Sequence, residues 1–427
     1  MIKAIKIKNN DNVATLIGNV KANGLVNIFN NDGSSYEIKA KEKILFGHKI
    51  SIKKIKANAK IIKYNSSIGT AKKNIDQGCH VHTEVIRSHY DKNNNLEKLI
   101  KVSLPLLKKK ISLVLNKYIS NKDIKKILLN YFLEAEMKGV KTHGIRRLPL
   151  IIDRIINKSI NLNPKITYQW KGSMLTVDAD NTFGHFAMIK SIEEIKKKIS
   201  SKISVTCSIK NSTHFGYAGY YSSKISDLNC ISIVTSNGPP LMSPIGYKEP
   251  VVSNSPLAIS AKISEYKYFE ADFATSVTSR SNILNAINNN LLINEGLIMN
   301  KKGVMTTNKD EAKNGILIPL ENFKGYALAL GLELLTGVLA GGPILKEIKH
   351  KDKNSKNLEK ISHFILAIKN NNYKSPTKLV NMLANSKRNK SNQNYWPGMR
   401  KYINFVKSKK TQSIHLNKTD YINLINL

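Results

Sequence analysis

The stretch Lys141-Thr142-His143-Gly144-Ile145-Arg146-Arg147 closes a helix-like run, and Asn211-Ser212-Thr213-His214-Phe215-Gly216-Tyr217-Ala218-Gly219 follows about seventy residues later. Each sets an imidazole near glycine, and the first adds two guanidinium groups one turn on. An imidazole passes protons near neutral pH, and an arginine clamps a carboxylate through two parallel hydrogen bonds. Together they point to the reduction or oxidation of a small hydroxy or oxo acid. Adjacent helical side chains diverge by about 100°, so one of Arg146 and Arg147 faces such a site. Local chemistry leaves other roles open: a helix C-cap for His143, a solvated face for the arginines, a satisfied loop histidine for His214.

Outward from these stretches the texture changes twice. Residues 1–88 read as a small all-β module, with β-rich runs such as VATLIGNV, GLVNIF, KILFGHKISI and AKIIKY separated by Asn23-Gly24 and Asp32-Gly33. A polar linker is expected at 89–97. Residues 98–427 read as an α/β unit. SLPLLKKKISLVLNKY has helical spacing, and Ser120-Asn121-Lys122-Asp123 offers N-cap chemistry for a second helix, IKKILLNYFLEAEMKGV. From about 178 onward helices alternate with SVTCSI, ISIVTSN and YFEADF. The longest apolar stretch, Tyr326–Pro343, carries Glu333 and several glycines and reads as a buried core helix, not a membrane span.

The 427 residues carry a net charge of +38, which invites a nucleic-acid reading. The charge comes from 61 lysines against 7 arginines, in a chain also rich in Ile and Asn. That combination points to A/T-rich coding, whereas base readout leans on arginine. A solvated lysine surface is therefore expected, with neither nucleic acid nor membrane as partner. Cys79, Cys207 and Cys230 form no CxxC pair, and the first sixteen residues contain no apolar signal segment. Both features fit a reducing, cytoplasmic setting. GxGxxG, GxxxxGK[ST] and HExxH are absent, so a bound nicotinamide needs a geometry other than the glycine-loop dinucleotide fold.

Other residues are candidates on chemistry alone. Ser236-Asn237-Gly238-Pro239-Pro240 and Ser253-Asn254-Ser255-Pro256 either line a pocket or turn the chain. Asp272, amid small residues, suits orienting a histidine, contacting a ligand or capping a helix. Phe323-Lys324-Gly325-Tyr326 opens the apolar helix, where a lysine and a helix N-terminus suit a cofactor phosphate. In the first module, His80-Val81-His82 on a strand turns both rings to one face, a metal-binding arrangement if a third ligand existed; none is assigned.

At these positions residues from about 105 to 420 resemble the malate/L-lactate dehydrogenase family of non-Rossmann type, which includes sulfolactate and ureidoglycolate dehydrogenases. The matching segments are Thr142–Pro149, Asn211–Tyr220, Thr235–Pro244, Asn254–Ala258, Asp272–Ser276 and Lys324–Leu335, in the family's order. The resemblance implies an NAD- or NADP-dependent enzyme with a distinctive α/β fold, its cofactor part at about 178–345, and a homodimer. It implies His143 and His214 as proton-handling groups with Asp272 beside them. Thr142, Arg147 and Asn237 fall on the substrate, and Asp272, Ala274, Thr275, Ser276, Phe323, Lys324 and Gly325 on the cofactor. Glu321-Asn322 stand where the family often has Gly-Gly, Arg280-Ser281-Asn282 where it has Arg-Gly-Lys, and Tyr247 where a glycine is common. Residues 1–88 resemble the SAF-type, β-clip-like domain of altronate dehydratase and the small subunit of sulfolactate sulfo-lyase. The resemblance rests on Gly47-His48-Lys49-Ile50, Ile68-Gly69-Thr70-Ala71 and His80-Val81-His82. It implies either a fused module beside a 2-hydroxy acid dehydrogenase, with sulfolactate in the range of both halves, or a subunit that docks a large dehydratase or sulfo-lyase chain.

Overall fold

The computed structural model describes residues 2–63, 66–82, 84–87, 99–289, 291–349, 356–372, 374–386 and 395–427. The expected linker at 89–97 lies outside them. The chain divides into two compact units, Met1–Leu96 and Glu97–Leu427.

The described residues of the first unit form short strands: β1 (Ile2–Ile5), β2 (Val13–Leu16), β3 (Leu25–Phe29), β4 (Ser35–Lys39), β5 (Lys49–Ser51), β6 (Lys60–Lys63), β7 (Ser66–Ala71), β8 (His80–Val81) and β9 (Ile86–Arg87). One sheet has the order β4-β3-β1-β2-β5-β8 and another β6-β7-β9. Alternating residues Ala4, Ala14, Leu16, Val26, Ile28 and Ile50 close its core, as period-two patterning requires.

The second unit opens with β10 (Leu99–Ser103) and α1 (Leu104–Tyr118). Ser103 caps α1, its hydroxyl accepting from the Leu106 amide at 3.4 Å, with Pro105 in the first turn. Asn121 caps α2 (Lys122–Met137), accepting from the amides of Asp123 and Ile124 at 3.0 and 3.1 Å. Its inner face, Ile124, Leu128, Tyr131, Phe132 and Ala135, is wholly buried. Then follow α3 (Leu148–Ile156), β11 (Thr167–Lys171), β12 (Met174–Asp178), α4 (Gly184–Lys198), β13 (Ser204–Ser212), α5 (Ala218–Ser226), β14 (Cys230–Ser236), β15 (Pro256–Ser264), β16 (Lys267–Ala274) and α6 (Arg280–Asn288). The expected runs SVTCSI, ISIVTSN and YFEADF thus occupy β13, β14 and β16. Next come β17 (Ile298–Met299), α7 (Lys309–Lys313), β18 (Ile316–Leu317), α8 (Phe323–Glu333), β19 (Ile361–Lys369), α9 (Ser375–Asn385), α10 (Met399–Thr411), β20 (Ser413–Asn417) and α11 (Lys418–Ile425).

The main sheet has the order β11-β12-β13-β19-β14-β15-β16. β12 and β13 pair in parallel, and the other neighbours are antiparallel. This is not the parallel doubly wound sheet of the glycine-loop dinucleotide fold. β19, from late in the sequence, lies between β13 and β14 and buries Ile361, Phe364, Ile365 and Ala367.

The apolar stretch expected as a core helix is one-sided. α8 passes into a wider π-type turn at Leu334–Val338. Gly325, Ala329, Leu332 and Thr336 face inward, while Leu328, Leu334, Leu335, Val338 and Leu339 are exposed. A helix apolar all round needs cover on both sides, and this unit supplies one. Among the described residues no helix is long and apolar enough to cross a membrane.

Candidate active site

After α2 the chain makes two short 3₁₀ turns, Lys141–His143 and Ile145–Arg147, before α3. Glu136 holds this corner: its Oε1 accepts from the Ile145 amide at 2.8 Å. Gly144 is required there, because a Cβ would lie 1.9 Å from that same oxygen. The corner presents His143 and Arg147 together. It also separates the two arginines: Arg146 turns away to Asp420, with Nε 2.9 Å from Oδ2. Arg147 Nε donates to the Thr142 carbonyl and its Nη2 to Ser281 Oγ, both at 2.9 Å. Among the described residues Arg147 has no carboxylate partner, although it is half-buried.

The second stretch leaves β13 and folds back over Tyr131. Gly216, at φ +90°, has no room for a Cβ, which would meet Tyr131 Oη at 1.9 Å. The Gly216 amide donates to His214 Nδ1 at 3.1 Å, which places the proton of the neutral ring on Nε2. The rings of His143 and His214 are stacked, their centroids 5.7 Å apart and their planes 6° from parallel. Thr142 Oγ1 is 3.0 Å from His143 Nδ1.

His143, Arg147, Arg154, His185 and His214 line one narrow cleft with apolar Leu150, Ile151 and Phe183; its free volume is about 10 Å³, room for a single water. Arg154 and His185 were not singled out in the sequence. Arg154 is buried and ion-paired with Glu359, yet among the described residues its Nε has no hydrogen-bond partner, nor has His185 Nδ1. Glu359 also accepts from the His214 amide at 3.0 Å. Only long-range packing brings them in: Glu359 stands 205 residues from Arg154.

Burial, then the charges of Arg147 and Lys401, pushes His143 down to about 3. Burial pulls His214 well below its ordinary value, helped by Arg147 and His143. Both rings are therefore neutral at pH 7 in the absence of an anion. Burial raises Glu136 to about 7, against the lowering effect of the Ile145 amide.

The two segments expected along a nicotinamide cofactor meet. The Leu320 amide donates to the Thr275 carbonyl at 2.9 Å, and a Cβ on Gly325 would lie 2.6 Å from that oxygen. β16 ends at Ala274 beside buried hydroxyls: Thr275 Oγ1 and Ser255 Oγ have no hydrogen-bond partner among the described residues, while Ser276 Oγ donates to the Thr278 carbonyl at 2.7 Å. Phe323 and Lys324 are exposed on the first turn of α8. Unpartnered hydroxyls, an aromatic ring, a cation and the positive end of a helix fit an anionic dinucleotide. Glu321 and Asn322, in the positions where glycines are frequent in the family, both take positive φ, 47° and 51°. Asn322 Oδ1 accepts from the Ile245 amide at 3.0 Å.

Two expected site residues are otherwise engaged. Asp272 neither orients a histidine nor caps a helix; it lies in β16, with Oδ2 2.7 Å from Lys401 Nζ. Asn237 has no free donor for a substrate: its Nδ2 donates to Glu333 Oε1 at 3.0 Å and to the Pro343 carbonyl at 3.2 Å, and its Oδ1 accepts from the Ser362 amide. In the first unit the rings of His80 and His82 stack at 4.3 Å, and His48 Nδ1 lies 2.7 Å from His80 Nε2. Among the described residues no three His, Cys, Asp or Glu side chains converge as metal ligands.

Residues 102–424 match the malate/L-lactate dehydrogenase family, and residues 2–89 match the altronate/galactarate dehydratase SAF domain. The chain is 30% identical to a malate dehydrogenase of Pyrococcus abyssi over 301 residues, 66% of this chain and 82% of that one. It is 34% identical to an L-sulfolactate dehydrogenase of Methanocaldococcus jannaschii over 253 residues, 59% of this chain and 72% of that one. The solved sulfolactate dehydrogenase structure from M. jannaschii superposes with a TM-score of 0.68 at 28% identity, covering 76% of this chain and 95% of that one. A dehydrogenase structure from Sinorhizobium meliloti, 23% identical, shares the fold at a TM-score of 0.71, covering 77% of this chain and 98% of that one. The chain belongs to the malate/L-lactate dehydrogenase family of NAD(P)-dependent 2-hydroxy acid dehydrogenases and carries an altronate/galactarate dehydratase SAF domain ahead of it.

Proposed function

We propose that the chain interconverts small 2-hydroxy and 2-oxo acids at C2 with NAD or NADP, and that its preferred substrate carries a second anionic group, as malate and sulfolactate do. The carrying observation is the half-buried guanidinium of Arg147, which has no carboxylate partner among the described residues, beside two parallel neutral imidazoles. Arg147 holds the substrate carboxylate, with the Thr142 hydroxyl alongside. The unpartnered Nε of Arg154 supports the second anionic group, sulfonate or carboxylate.

When bound, the nicotinamide supplies the two-electron redox chemistry; Ala274, Thr275, Ser276, Phe323, Lys324 and Gly325 are the residues assigned to hold it. One imidazole of the pair moves the proton of the C2 oxygen, and the other hydrogen-bonds that oxygen. A carboxylate on Arg147 offsets part of the field that depresses His143, so binding draws the imidazole back toward the range where it exchanges protons. Leu150, Ile151 and Phe183 exclude water and strengthen these interactions.

The exposed apolar face of α8 supports a homodimer, tested by sedimentation. The SAF match supports docking of a dehydratase-type large subunit on residues 2–89, tested by co-purification. The central experiment follows NADH and NADPH oxidation against sulfopyruvate, oxaloacetate and pyruvate. The expected result is kcat/KM at least about tenfold higher for the two dianions than for pyruvate, the size of one added ionic hydrogen bond. No oxidation with any acid of the panel overturns the proposal.

A further inference from the structure

We propose that Lys401 is a positioning residue of this site: held between Glu270 and Asp272, it fixes the ring of Tyr217 beside the His143 imidazole. The inference rests on reading the site as a dehydrogenase centre. Glu270 and Asp272 are two apart on β16 and share one face. Lys401 Nζ is 2.7 Å from Asp272 Oδ2 and also ion-paired with Glu270. The same ammonium lies 5.1 Å from the centroid of the Tyr217 ring, which lies 6.4 Å from that of His143.

Tyr217 is buried, and its hydroxyl has no hydrogen-bond partner among the described residues. The ring is therefore not oriented by its own polar tip. It packs against the rings of Tyr131 and Tyr220, at 5.8 and 6.0 Å between centroids; its backbone amide donates to Tyr131 Oη at 3.0 Å, and the cation on its face adds an attraction strengthened by burial. The lysine is itself fastened. The Glu270 amide donates to the Pro397 carbonyl at 2.9 Å and Trp396 Nε1 to the Tyr268 carbonyl at 3.2 Å, securing the start of α10 to β16. One turn on, Asn404 Nδ2 donates to the Lys138 carbonyl at 3.3 Å, just beyond α2. Lys401 thus spans the strand that runs toward Ala274 and Thr275 and the corner that carries His143.

Lys401→Met alone strands two buried carboxylates on each other. The test therefore pairs it with Glu270→Gln, which leaves the net charge of the cluster unchanged. The expected result is kcat lower by roughly ten- to a hundredfold, with KM for the acid within about threefold, as for a displaced catalytic group. Lys401→Arg recovers most of the loss. Tyr217→Leu reproduces the kcat-only loss, whereas Tyr217→Phe keeps the ring and near-normal kcat. Wild-type kcat in a folded double variant, or in Tyr217→Leu, overturns the inference; if the double variant does not fold, the tyrosine pair decides alone. Failure of the underlying reading looks different, as a wild-type chain that turns over no 2-oxo acid, and it sinks both.

Discussion

Acid weakens the second unit well above the pH at which ordinary proteins lose stability. His185 and His363 are buried and His143 half-buried, and all three are held at about 3 by desolvation, His143 and His185 with nearby positive charges. Below 6.5 the unfolded chain takes up protons that these rings refuse, so their contribution to stability is present above 6.5 and is lost as pH falls. From pH 7 to pH 5 each ring removes about 2 kcal/mol, and the three together about 6 kcal/mol. Glu136 works in the opposite sense. Its folded value, raised to about 7, opposes folding as pH rises above 4.5, so acidification returns about 2 kcal/mol of stability. The net loss is about 4 kcal/mol, a large share of a typical domain stability of roughly 5–15 kcal/mol. His214, shifted in the same direction as the other rings, adds to the loss, whereas Glu270 and Glu333, both raised by burial, subtract from it. Both tryptophans, Trp170 and Trp396, lie in this unit, so urea unfolding followed by tryptophan fluorescence at pH 7, 6 and 5 reads it selectively. A midpoint that stays level or rises toward pH 5 refutes the reasoning.

His143→Gln and His214→Gln each lower kcat, by roughly a hundred- to ten-thousandfold for whichever ring moves the proton, with no loss of thermal stability at pH 7; near-full turnover in both removes the pair from the mechanism. Arg147→Met raises KM for the acid by about thirty- to a hundredfold, the worth of a charge-assisted bidentate pair, while cofactor affinity measured by fluorescence titration stays within about twofold. Glu321→Gly relieves a side chain at φ 47° and stabilises the unit by up to about 1 kcal/mol in the same urea assay; a lower midpoint refutes the claim of strain.

Features carried by local pattern were legible in the sequence. The cap Asn121, the strands of the first unit and the runs forming β13, β14 and β16 each depend on a few neighbouring residues. His143, Arg147 and His214 were legible because glycine beside imidazole, and paired arginines in an arginine-poor chain, are local facts. Residues defined by a distant partner were not. Asp272 stood alone in the sequence because Lys401, which claims it, lies 129 residues on. Asn237 looked free because Glu333 lies 96 residues away. Arg154 and Glu359 are unremarkable singly and become a buried pair only in the fold. The apolar stretch after Pro319 was misjudged for another reason: hydrophobicity registers the demand for cover, not whether the chain's own core or another molecule meets it.

The position of β19 sets a schedule for synthesis. β13 and β14 are both made more than a hundred residues before the strand that joins them. Until the ribosome has passed residue 369, the two halves of the sheet each leave an inner edge open, and an unpaired edge is a template for the wrong partner. The first unit needs only contacts among its own early residues and completes its sheets while the rest of the chain is still emerging. The second unit, by contrast, keeps both inner edges open until β19 (Ile361–Lys369) has emerged.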